Sequence, residues 1–277
     1  MTQVDELVRT EVIANEPAEA LAAMLDIEQP TAAGGTGTVP PLWHWLYLLD
    51  RRRQRDLGPD GHPTSGIPAP PGPGRRRMFA GGRVRTLRPL VIGRPATRTV
   101  RVARAQQKQG RTGPLTFVTV RHAITQDGEP AVMEEQDIVY RAPGSATLPA
   151  DPADEPVPPP RPSLRLAVDE VMLFRFSALT YNAHRIHYDH GWVREEGYAD
   201  LVVHGPLQAL MMAELMRREG VDLVGRQYAY RLVSPMIGPQ VLTVHAAPQG
   251  LSMGAETRDA QGQVTAGSTL TALDPQS

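Results

Sequence analysis

The chain contains no cysteine among its 277 residues, which excludes disulfide bonds, thiol nucleophiles and cysteine-ligated metals. It also lacks an excess of either charge, since the net charge is −1 and the pI is near 6.7. That balance gives no electrostatic reason to expect nucleic acid or an anionic membrane as a partner. Lysine is nearly missing too, with Lys108 the only one. The cations are therefore arginines, which suit bidentate contacts to carboxylates and phosphates.

Long hydrophobic runs are also absent. No uncharged apolar stretch reaches the roughly 20 residues that a membrane-spanning helix needs, and the first residues lack the basic and apolar regions of a signal peptide. We therefore expect a soluble, cytoplasmic protein. The length allows one large domain or two ordinary ones, each with a buried core.

One stretch of the sequence concentrates proton-handling side chains. From Asn182 to Asp189 the chain reads Asn-Ala-His-Arg-Ile-His-Tyr-Asp, which brings an amide, imidazoles, a guanidinium and a carboxylate together. Further on, the sequence predicts a helix start with Gly205 as N-cap and Pro206 as the first helical residue. The apolar run that follows, as far as Gly220, indicates a helix buried against a sheet. Its free N–H groups suit an anion or a polarised carbonyl at Gly205.

Two proline-rich stretches divide the remaining sequence. Residues 57–77 predict a long surface loop, and the acidic residues 142–162 predict an interdomain linker. β-branched, alternating segments predict strands on either side of the linker. These segments are 78–88, 97–105, 115–125 and 131–140 before it, and 164–168, 227–233, 241–247, 251–259 and 264–273 after it.

The N-terminal part is less informative. Residues 1–30 alternate acidic and apolar positions and predict one or two short helices. Residues 40–49 predict a short buried helix. Its Trp43 and Trp45 either pack in the core, which is the interpretation we favour, or line an acyl pocket.

An approximate internal repeat relates the two halves of the chain. Arg85 precedes Pro89 by four residues, as Arg231 precedes Pro235, and each proline is followed by apolar residues, a glycine and three strand-like segments. A repeat of this kind changes the expected fold. It predicts two copies of a helix wrapped by an antiparallel sheet, joined by the proline-rich linker.

The segment around His187 resembles the signature of the MaoC-like, (R)-specific enoyl-CoA hydratases, which are hotdog-fold proteins. That signature reads Asp-x-Asn-Pro-x-His-x-Asp and is followed by a His-Gly helix start. The match places His187 at the motif histidine, Asn182 at the catalytic aspartate, and Gly205 at the glycine whose N–H binds the thioester oxygen. The variant seen here is closest to the FAS1-like dehydratases. That subgroup includes mesaconyl-C4-CoA and itaconyl-CoA hydratases and a mitochondrial 3-hydroxyacyl-thioester dehydratase.

The resemblance implies an α+β fold, a double hotdog with two helix-wrapped antiparallel sheets in one chain. Residues 1–141 would form a degenerate N-terminal repeat, 142–162 the linker, and 163–277 the catalytic repeat. The first repeat has no Asn-x-His-x-x-His cluster, which leaves it available for substrate binding.

The implied activity is addition of water to an enoyl thioester, or its removal, with a CoA thioester as substrate and no cofactor. We favour His187 as both acid and base, acting through one water, because an imidazole exchanges protons near neutral pH. The alternative is that His184 or Asp189 makes the second proton transfer. Asn182 is expected to orient the water, since an amide cannot exchange a proton as a carboxylate does. The Gly205 N–H is expected to bind the thioester oxygen.

Four further residues are expected to contact the substrate. Tyr181, His184 and Arg185 lie in or beside the motif, with support of the site as the alternative for the last two. Arg231 would hold a substrate carboxylate or a CoA phosphate, or else make a structural ion pair. Arg75 to Arg77 form either a contact for CoA phosphates or a solvated flank.

Histidines recur at positions 184, 187 and 190, a spacing that mimics a metal site. No carboxylate companion stands at clear ligand spacing, so we predict no metal. We expect a structural role for His44, His62, His122 and His245.

The leading hypothesis is therefore a hydro-lyase acting on a short, branched dicarboxylyl enoyl-CoA such as mesaconyl-CoA or itaconyl-CoA. The alternatives are a 3-hydroxyacyl-thioester dehydratase of fatty acid metabolism, a hotdog thioesterase and a non-catalytic acyl-CoA-binding module. The expected partner is an acyl-CoA, with a homo-oligomer possible and neither nucleic acid nor membrane involved. An additional arginine in a closed pocket would favour the dicarboxylate, and a long apolar tunnel would favour fatty acyl chains.

Overall fold

The computed structural model describes residues 6–29, 37–68, 76–110, 113–141 and 162–273. Its strands are β1 Leu7–Val12, β2 Thr38–Val39, β3 Arg76–Thr86, β4 Leu90–Val91, β5 Pro95–Gly110, β6 Gly113–Gln126, β7 Glu129–Arg141, β8 Ser163–Val168, β9 Arg226–Leu232, β10 Gln240–Ala246, β11 Ala255–Arg258 and β12 Val264–Ala272. Its helices are α1 Glu16–Met24, α2 Glu170–Thr180, α3 His190–Glu195 and α4 Gly205–Arg218, with 3-10 turns at Trp43–Leu46, Gln54–Asp56 and Arg185–His187.

Ten strands form one antiparallel sheet in the order β1-β5-β6-β7-β3-β9-β12-β11-β10-β8. The two halves have the same strand order when each is followed from its outer edge to the centre. One half runs β1-β5-β6-β7-β3 and the other runs β8-β10-β11-β12-β9, so in each the second of the repeat's strands in this sheet lies at the centre. The two copies therefore meet edge to edge where β3 pairs with β9. Arg85 and Arg231 lie on these equivalent strands, as the sequence repeat predicts. The remaining strands, β2 and β4, form a separate small ladder.

The central helix α4 is buried along most of its length because its sequence is almost continuously apolar. Every residue from Leu207 to Met216 is buried. The buried polar Gln208 accepts hydrogen bonds from the hydroxyls of Thr257 at 3.0 Å and Thr265 at 2.7 Å, which satisfies its amide oxygen against the sheet. The helix begins one residue earlier than predicted, because His204 and not Gly205 occupies the N-cap position.

The N-terminal segment corrects a second expectation. Leu7–Val12 is not helical but forms the edge strand β1 against β5, and only Glu16–Met24 is a helix. Burial along this segment has the two-residue period of a strand, with half-buried and exposed side chains in turn. The strand β3 also begins earlier than expected, at Arg76, inside the stretch assigned to a loop.

The interdomain linker was predicted at residues 142–162, and all but the last of these lie outside the described residues. The domain boundaries therefore stay a prediction. Within the described ranges, no helix is both long and apolar enough to cross a membrane.

Two adjacent glycines bring β3 close to its neighbours at the junction of the repeats. Gly81 has φ +149°, and a Cβ atom there would lie 2.3 Å from the carbonyl oxygen of Tyr230 on β9. A Cβ at Gly82 would lie 2.5 Å from the carbonyl oxygen of Glu135 on β7. Neither backbone oxygen can move without opening a strand pair, so the junction depends on these glycines.

We expect Gly81→Ala to destabilise the protein by about 3 kcal/mol, because it combines an unfavourable φ with a clash against backbone. In thermal unfolding this corresponds to a decrease in Tm of about 8 °C. Gly267→Ala is the matched control, since Gly267 also lies in a strand of the same sheet and nothing lies within 4 Å of its Cβ position. Equal Tm values for the two variants would contradict the importance of the close approach at β3.

Candidate active site

The chain segment that carries the motif is shaped by two helix caps and one left-handed residue. Asp169 caps α2 by accepting a hydrogen bond from the backbone N–H of Met172 at 2.7 Å. Tyr181 ends that helix with φ +53°, which turns the chain toward Asn182. Asp189 then caps α3 through the backbone N–H groups of residues 191 and 192. The motif residues are thus held in a short, fixed loop between two helices.

His187 is buried, with 7% of its surface exposed, in the wall of a large cavity. Its Nδ1 lies 2.6 Å from the carbonyl oxygen of Val202. Because a carbonyl only accepts, Nδ1 carries the hydrogen and Nε2 keeps a free lone pair. Burial, and then the neighbouring His204 and His184, hold the pKa of His187 well below its usual value. The ring is therefore a neutral base at pH 7.

His204 stacks against His187 and precedes the first residue of α4. The two rings are nearly parallel, with centroids 3.6 Å apart. The Nε2 atom of His204 lies 2.9 Å from the hydroxyl oxygen of Ser177, and burial lowers the pKa of His204 to about 3. Both imidazoles are thus neutral. The next residue, Gly205, lies in the cavity wall, and a Cβ there would meet the side chain of Leu232 at 2.2 Å.

Asn182 also faces the cavity, but its carbonyl oxygen is already in use. Its Oδ1 accepts a hydrogen bond from the backbone N–H of His184 at 3.0 Å. The amide NH₂ remains as a donor toward the cavity. The ring of His184 is buried, and its Nε2 lies 3.4 Å from Glu196 Oε1, which also accepts a hydrogen bond from the indole of Trp192 at 2.7 Å. The structure therefore brings Asn182, His184, His187 and Gly205 to one cavity wall.

Tyr181 lies at the rim of the same cavity, 54% exposed, but two of the expected substrate contacts lie elsewhere. Arg185 pairs with Asp189 at 2.6 Å and covers the ring of Trp192 at 4.4 Å, so it holds the loop together outside the cavity wall. Arg231 is exposed, because side chains alternate along β9 and its neighbour Leu232 faces the cavity. Arg185 and Arg231 therefore do not line this cavity, and contact of either with a substrate stays a prediction.

The cavity has a volume of about 770 Å³ and is built by both repeats. The motif loop and the start of α4 form one side, and the sheet of the first repeat forms the other. Several side chains of the first repeat face this cavity. Among them are His44, His62 and His122, for which we expected structural roles, and they are joined by Trp45, Arg9, Arg77, Arg98, Arg141 and Glu134. Of the two tryptophans, Trp43 is in the core, as we favoured, and Trp45 lines the cavity.

A loop of the first repeat brings His62 next to the motif. His62 Nδ1 lies 3.0 Å from Asp60 Oδ2, and the His62 ring is 4.1 Å from the ring of His184 between centroids. Burial lowers the pKa of His62 to about 4. Burial alone would raise the pKa of Asp60, but the hydrogen bonds from His62 outweigh it and leave the pKa at about 2. The pair is therefore an ionised carboxylate beside a neutral imidazole.

No motif in the sequence marks this pair, since Asp60 and His62 lie in a loop more than 100 positions before the residues they join. The carboxylate and two imidazoles of Asp60, His62 and His184 offer ligand-type atoms that all lie within 4.8 Å of one another. The histidines at positions 184, 187 and 190, which recur every third residue, do not form such a cluster together. His190 is half exposed and pairs with Asp200 at 3.1 Å on the surface.

A second polar cluster lies in the first repeat. Glu134 is buried and accepts hydrogen bonds from the indole of Trp45 at 2.8 Å and the amide of Gln136 at 2.9 Å, and it also contacts His44 at 3.1 Å. These contacts outweigh burial and hold the pKa of Glu134 at about 2. Burial lowers the pKa of the nearby His122 to about 4. The first repeat therefore gives the cavity wall a charged, hydrogen-bonded surface.

Comparison with known proteins identifies the family. Residues 42–238 match the model of hydroxyacyl-thioester dehydratase type 2, which is well over half of the chain. The chain belongs to this dehydratase family. One relative, the mesaconyl-C(4)-CoA hydratase of Chloroflexus aurantiacus, is 44% identical over 258 residues, covering 91% of this chain and 91% of its own.

Two solved structures place the dehydratase among the hotdog proteins. HtdX of Mycobacterium tuberculosis matches with a TM-score of 0.67 at 15% identity, covering 97% of this chain and 100% of its own. A conserved hypothetical protein of Mycobacterium tuberculosis with a double hotdog fold matches with a TM-score of 0.57 at 12% identity, covering 99% and 96%. At these identities the likeness concerns the fold. It confirms the double hotdog, and the family confirms the MaoC-like resemblance and the hydro-lyase class.

We expect the dehydratase variant Gly61→Ala to lose activity because it separates the two loops of the site. Gly61 has φ +88°, and a Cβ there would lie 1.8 Å from the carbonyl oxygen of Ala183, within the motif loop. A shift of about 1 Å in a catalytic group costs about a hundredfold in rate, so kcat/KM should fall by about that factor.

The matched control is Gly250→Ala, which has φ +100° but nothing within 4 Å of its Cβ position. It carries the same type of backbone strain away from the cavity. If both variants keep the activity of the unmodified enzyme, the contact between the loops is not needed for the reaction.

Proposed function

We propose that this dehydratase adds water to a short, branched dicarboxylyl enoyl-CoA such as mesaconyl-CoA or itaconyl-CoA, or removes it in the reverse reaction. The observation that carries the proposal is the arrangement of one neutral imidazole, one amide and one helix N-terminus around a cavity that is also lined by the buried Arg77. The name of the 44%-identical relative, a mesaconyl-C(4)-CoA hydratase, supports the same substrate class.

The reaction begins with a water held between His187 and Asn182. The amide NH₂ of Asn182 donates to the water oxygen, while the free Nε2 of His187 accepts one of its hydrogens. As the oxygen bonds to C3 of the enoyl group, His187 takes the proton and the electrons of the double bond move toward the thioester oxygen. A proton delivered to C2 completes the addition, and no cofactor enters these steps.

The start of α4 stabilises the negative charge that develops on the thioester oxygen. The backbone N–H of Gly205 belongs to the first turn of the helix, where it has no partner within the helix. Absence of a side chain lets the thioester approach this N–H, and the helix dipole adds a partial positive charge. One donor of this kind lowers the barrier by typically ~3 kcal/mol.

The position of Arg77 is the reason for proposing a second carboxylate on the acyl group. This arginine lines the cavity from β3, and in the described part of the chain its guanidinium makes no ion pair. Burial lowers the pKa of Arg77, and its charge in turn lowers the pKa of both His62 and His122. The guanidinium thus lies between the motif end of the cavity and the first-repeat cluster. We therefore expect Arg77 to meet the acyl end of the ligand and not the phosphates of CoA.

A second candidate is the dehydration of 3-hydroxyacyl thioesters with longer chains, the activity for which the family is named. The apolar side of the cavity favours it, since aliphatic and aromatic side chains of the first repeat line that side. These are Ile67, Val100, Phe117, Ile124 and Val139. The buried positive charge of Arg77 beside this surface favours the dicarboxylate.

We expect the unmodified enzyme to hydrate mesaconyl-CoA much faster than crotonyl-CoA, which lacks the second carboxylate. Arg77→Leu should lower kcat/KM for mesaconyl-CoA by about thirtyfold, the value of one charge-assisted contact, and leave that for crotonyl-CoA nearly unchanged. Loss of the enoyl absorbance measures both rates. Arg101→Leu, at an exposed position of β5, serves as the control. Equal rates for the two substrates would contradict the dicarboxylate proposal.

We expect His187→Ala to lower kcat by about 10³-fold or more, since it removes the proton acceptor. Asn182→Ala should lose about 10²-fold, because the water is no longer oriented. Circular dichroism should show both variants folded. His190→Ala is the matched control, as this histidine also pairs with a neighbour but lies on the surface. Near wild-type turnover by His187→Ala would refute the assignment.

A further inference from the structure

The proposed reaction needs a group that delivers a proton to C2, and position 182 does not provide it. The motif of the resembling hydratases has an aspartate there, and this chain has Asn182. An amide neither accepts nor donates a proton as a carboxyl group does. Its Oδ1 is also occupied by the backbone N–H of His184. If His187 serves as the base alone, the group that replaces the carboxyl function lies elsewhere in the chain.

The loop that carries Asp60 and His62 is fixed to the motif loop by its backbone. Arg185 donates from its backbone N–H to the carbonyl oxygen of Asp60 at 3.0 Å, and from its side chain to the carbonyl oxygen of Pro59 at 3.0 Å. Gly61 passes so close to Ala183 that no side chain fits between them. Two repeats of one chain thus share a rigid contact at the place where the chemistry occurs.

The orientation of the His62 ring follows from its partner. A carboxylate only accepts, so the Asp60 contact at 3.0 Å requires a hydrogen on Nδ1 of His62. Nε2 is then the ring nitrogen left for proton exchange, and His62 lies in the cavity wall. An aspartate that orients a histidine and stabilises its imidazolium form is a recurrent arrangement in enzymes.

We propose that His62, held by Asp60, is the acid that delivers the proton to C2 of the substrate, in place of the carboxylate that position 182 lacks. This inference rests on the proposed hydration reaction. His62 is a catalytic residue in this scheme, since it meets the substrate in the cavity, and Asp60 is a positioning residue that acts through it.

The protons balance if the three imidazoles of the site form a relay. His187 takes a proton from water as the C3–O bond forms and the double-bond electrons give an enolate. That proton passes by way of His184, whose ring centroid is 5.6 Å from that of His187 and 4.1 Å from that of His62. His62 then gives a proton to C2, the enolate electrons form the C2–H bond, and all three rings are neutral again.

Electrostatics give the relay its direction. The imidazolium of His187 would face only the carbonyl of Val202 and would lie against the ring of His204. His184 contacts the carboxylate of Glu196, and His62 contacts that of Asp60. The first transfer therefore moves the positive charge from a ring without a carboxylate to one that has it, and the second keeps the charge beside a carboxylate.

The test measures kcat and KM of His62→Gln with mesaconyl-CoA. We expect kcat to fall about a hundredfold, the usual contribution of an acid–base group, while KM changes less than threefold. Asp60→Asn should lower kcat about tenfold and Asp60→Glu should restore it, with no further loss when Asp60→Asn is added to His62→Gln. His190→Gln is the control, because it breaks a His–Asp contact of 3.1 Å at the surface.

A chemical rescue separates proton delivery from a structural role. In His62→Ala, added imidazole should restore part of the rate, and a series of substituted imidazoles should give rates that vary with their pKa. A rescued rate that does not vary with the pKa of the added base would overturn the proposal. So would a kcat of His62→Gln within threefold of that of the unmodified enzyme. Should His62→Gln fail to fold, Asp60→Asn and Asp60→Glu decide the question, since both keep the ring.

Two controls distinguish this inference from its alternatives. The unmodified enzyme is first assayed with mesaconyl-CoA and crotonyl-CoA, and absence of turnover with either would reject the proposed function itself. Dialysis against EDTA should leave kcat unchanged. Activity lost on dialysis and restored by Zn²⁺ would overturn the role of His62 as an acid, because Asp60, His62 and His184 would then hold a cation.

Discussion

The pairing of β3 with β9 is the interaction on which the rest of the molecule depends. It joins two five-stranded halves into one sheet, and Gly81 and Gly82 allow the backbones to approach at that junction. Phe79 and Tyr230 stack across it with ring centroids 5.9 Å apart, and Trp45 meets the edge of the same tyrosine at 5.8 Å. Because the two halves are fixed edge to edge, a loop from one can reach the motif of the other. The cavity exists only in this assembled form.

Burial then sets the charges inside that cavity. Imidazoles held away from water lose their tendency to protonate, which leaves His62, His187 and His204 neutral at pH 7. The carboxylates respond differently, since hydrogen bonds to Asp60 and Glu134 keep both ionised in spite of burial. Neutral bases beside fixed negative charges can accept a proton transiently and release it again. This is the electrostatic requirement of a hydration reaction that begins and ends with the same protonation state.

The sequence predicts the framework well because the relevant signals are local. The period of the strands, the helix start before Pro206 and the repeat around Arg85 and Arg231 all depend on short stretches, and the sheet order agrees with them. The motif resemblance likewise predicts that His187 and Asn182 lie together, and both line the same wall of the cavity. Local signals failed at β1, where pairing with β5 decided the structure of an ambiguous segment.

The parts of the site that come from distant sequence could not be predicted in this way. Asp60 and His62 follow a 3-10 turn in a loop with no recognisable pattern, and only the backbone contacts to Arg185 and Ala183 give them a place in the site. The position of Arg231 relative to the cavity was difficult to predict for a related reason. Its equivalence to Arg85 shows that the strand is repeated, but the alternation of side chains decides which face it occupies, and that face is outside the cavity.

The two repeats differ in the lengths of their helices and strands, and this difference bears on the open sheet face of the first repeat. Its helix α1 has 9 residues while α4 has 14, and its strands β5, β6 and β7 have 16, 14 and 13 residues while β10, β11 and β12 have 7, 4 and 9. A short helix cannot cover long strands, so part of the inner sheet face stays open. The polar side chains there, Arg98, His122 and Glu134, would be costly against a packed helix unless fully paired. In the described part of the chain Arg98 Nε and His122 Nε2 are buried without a protein partner, which suits a surface that meets a polar ligand. The first repeat thus presents a polar face to the cavity, while the motif loop of the second repeat forms the opposite wall.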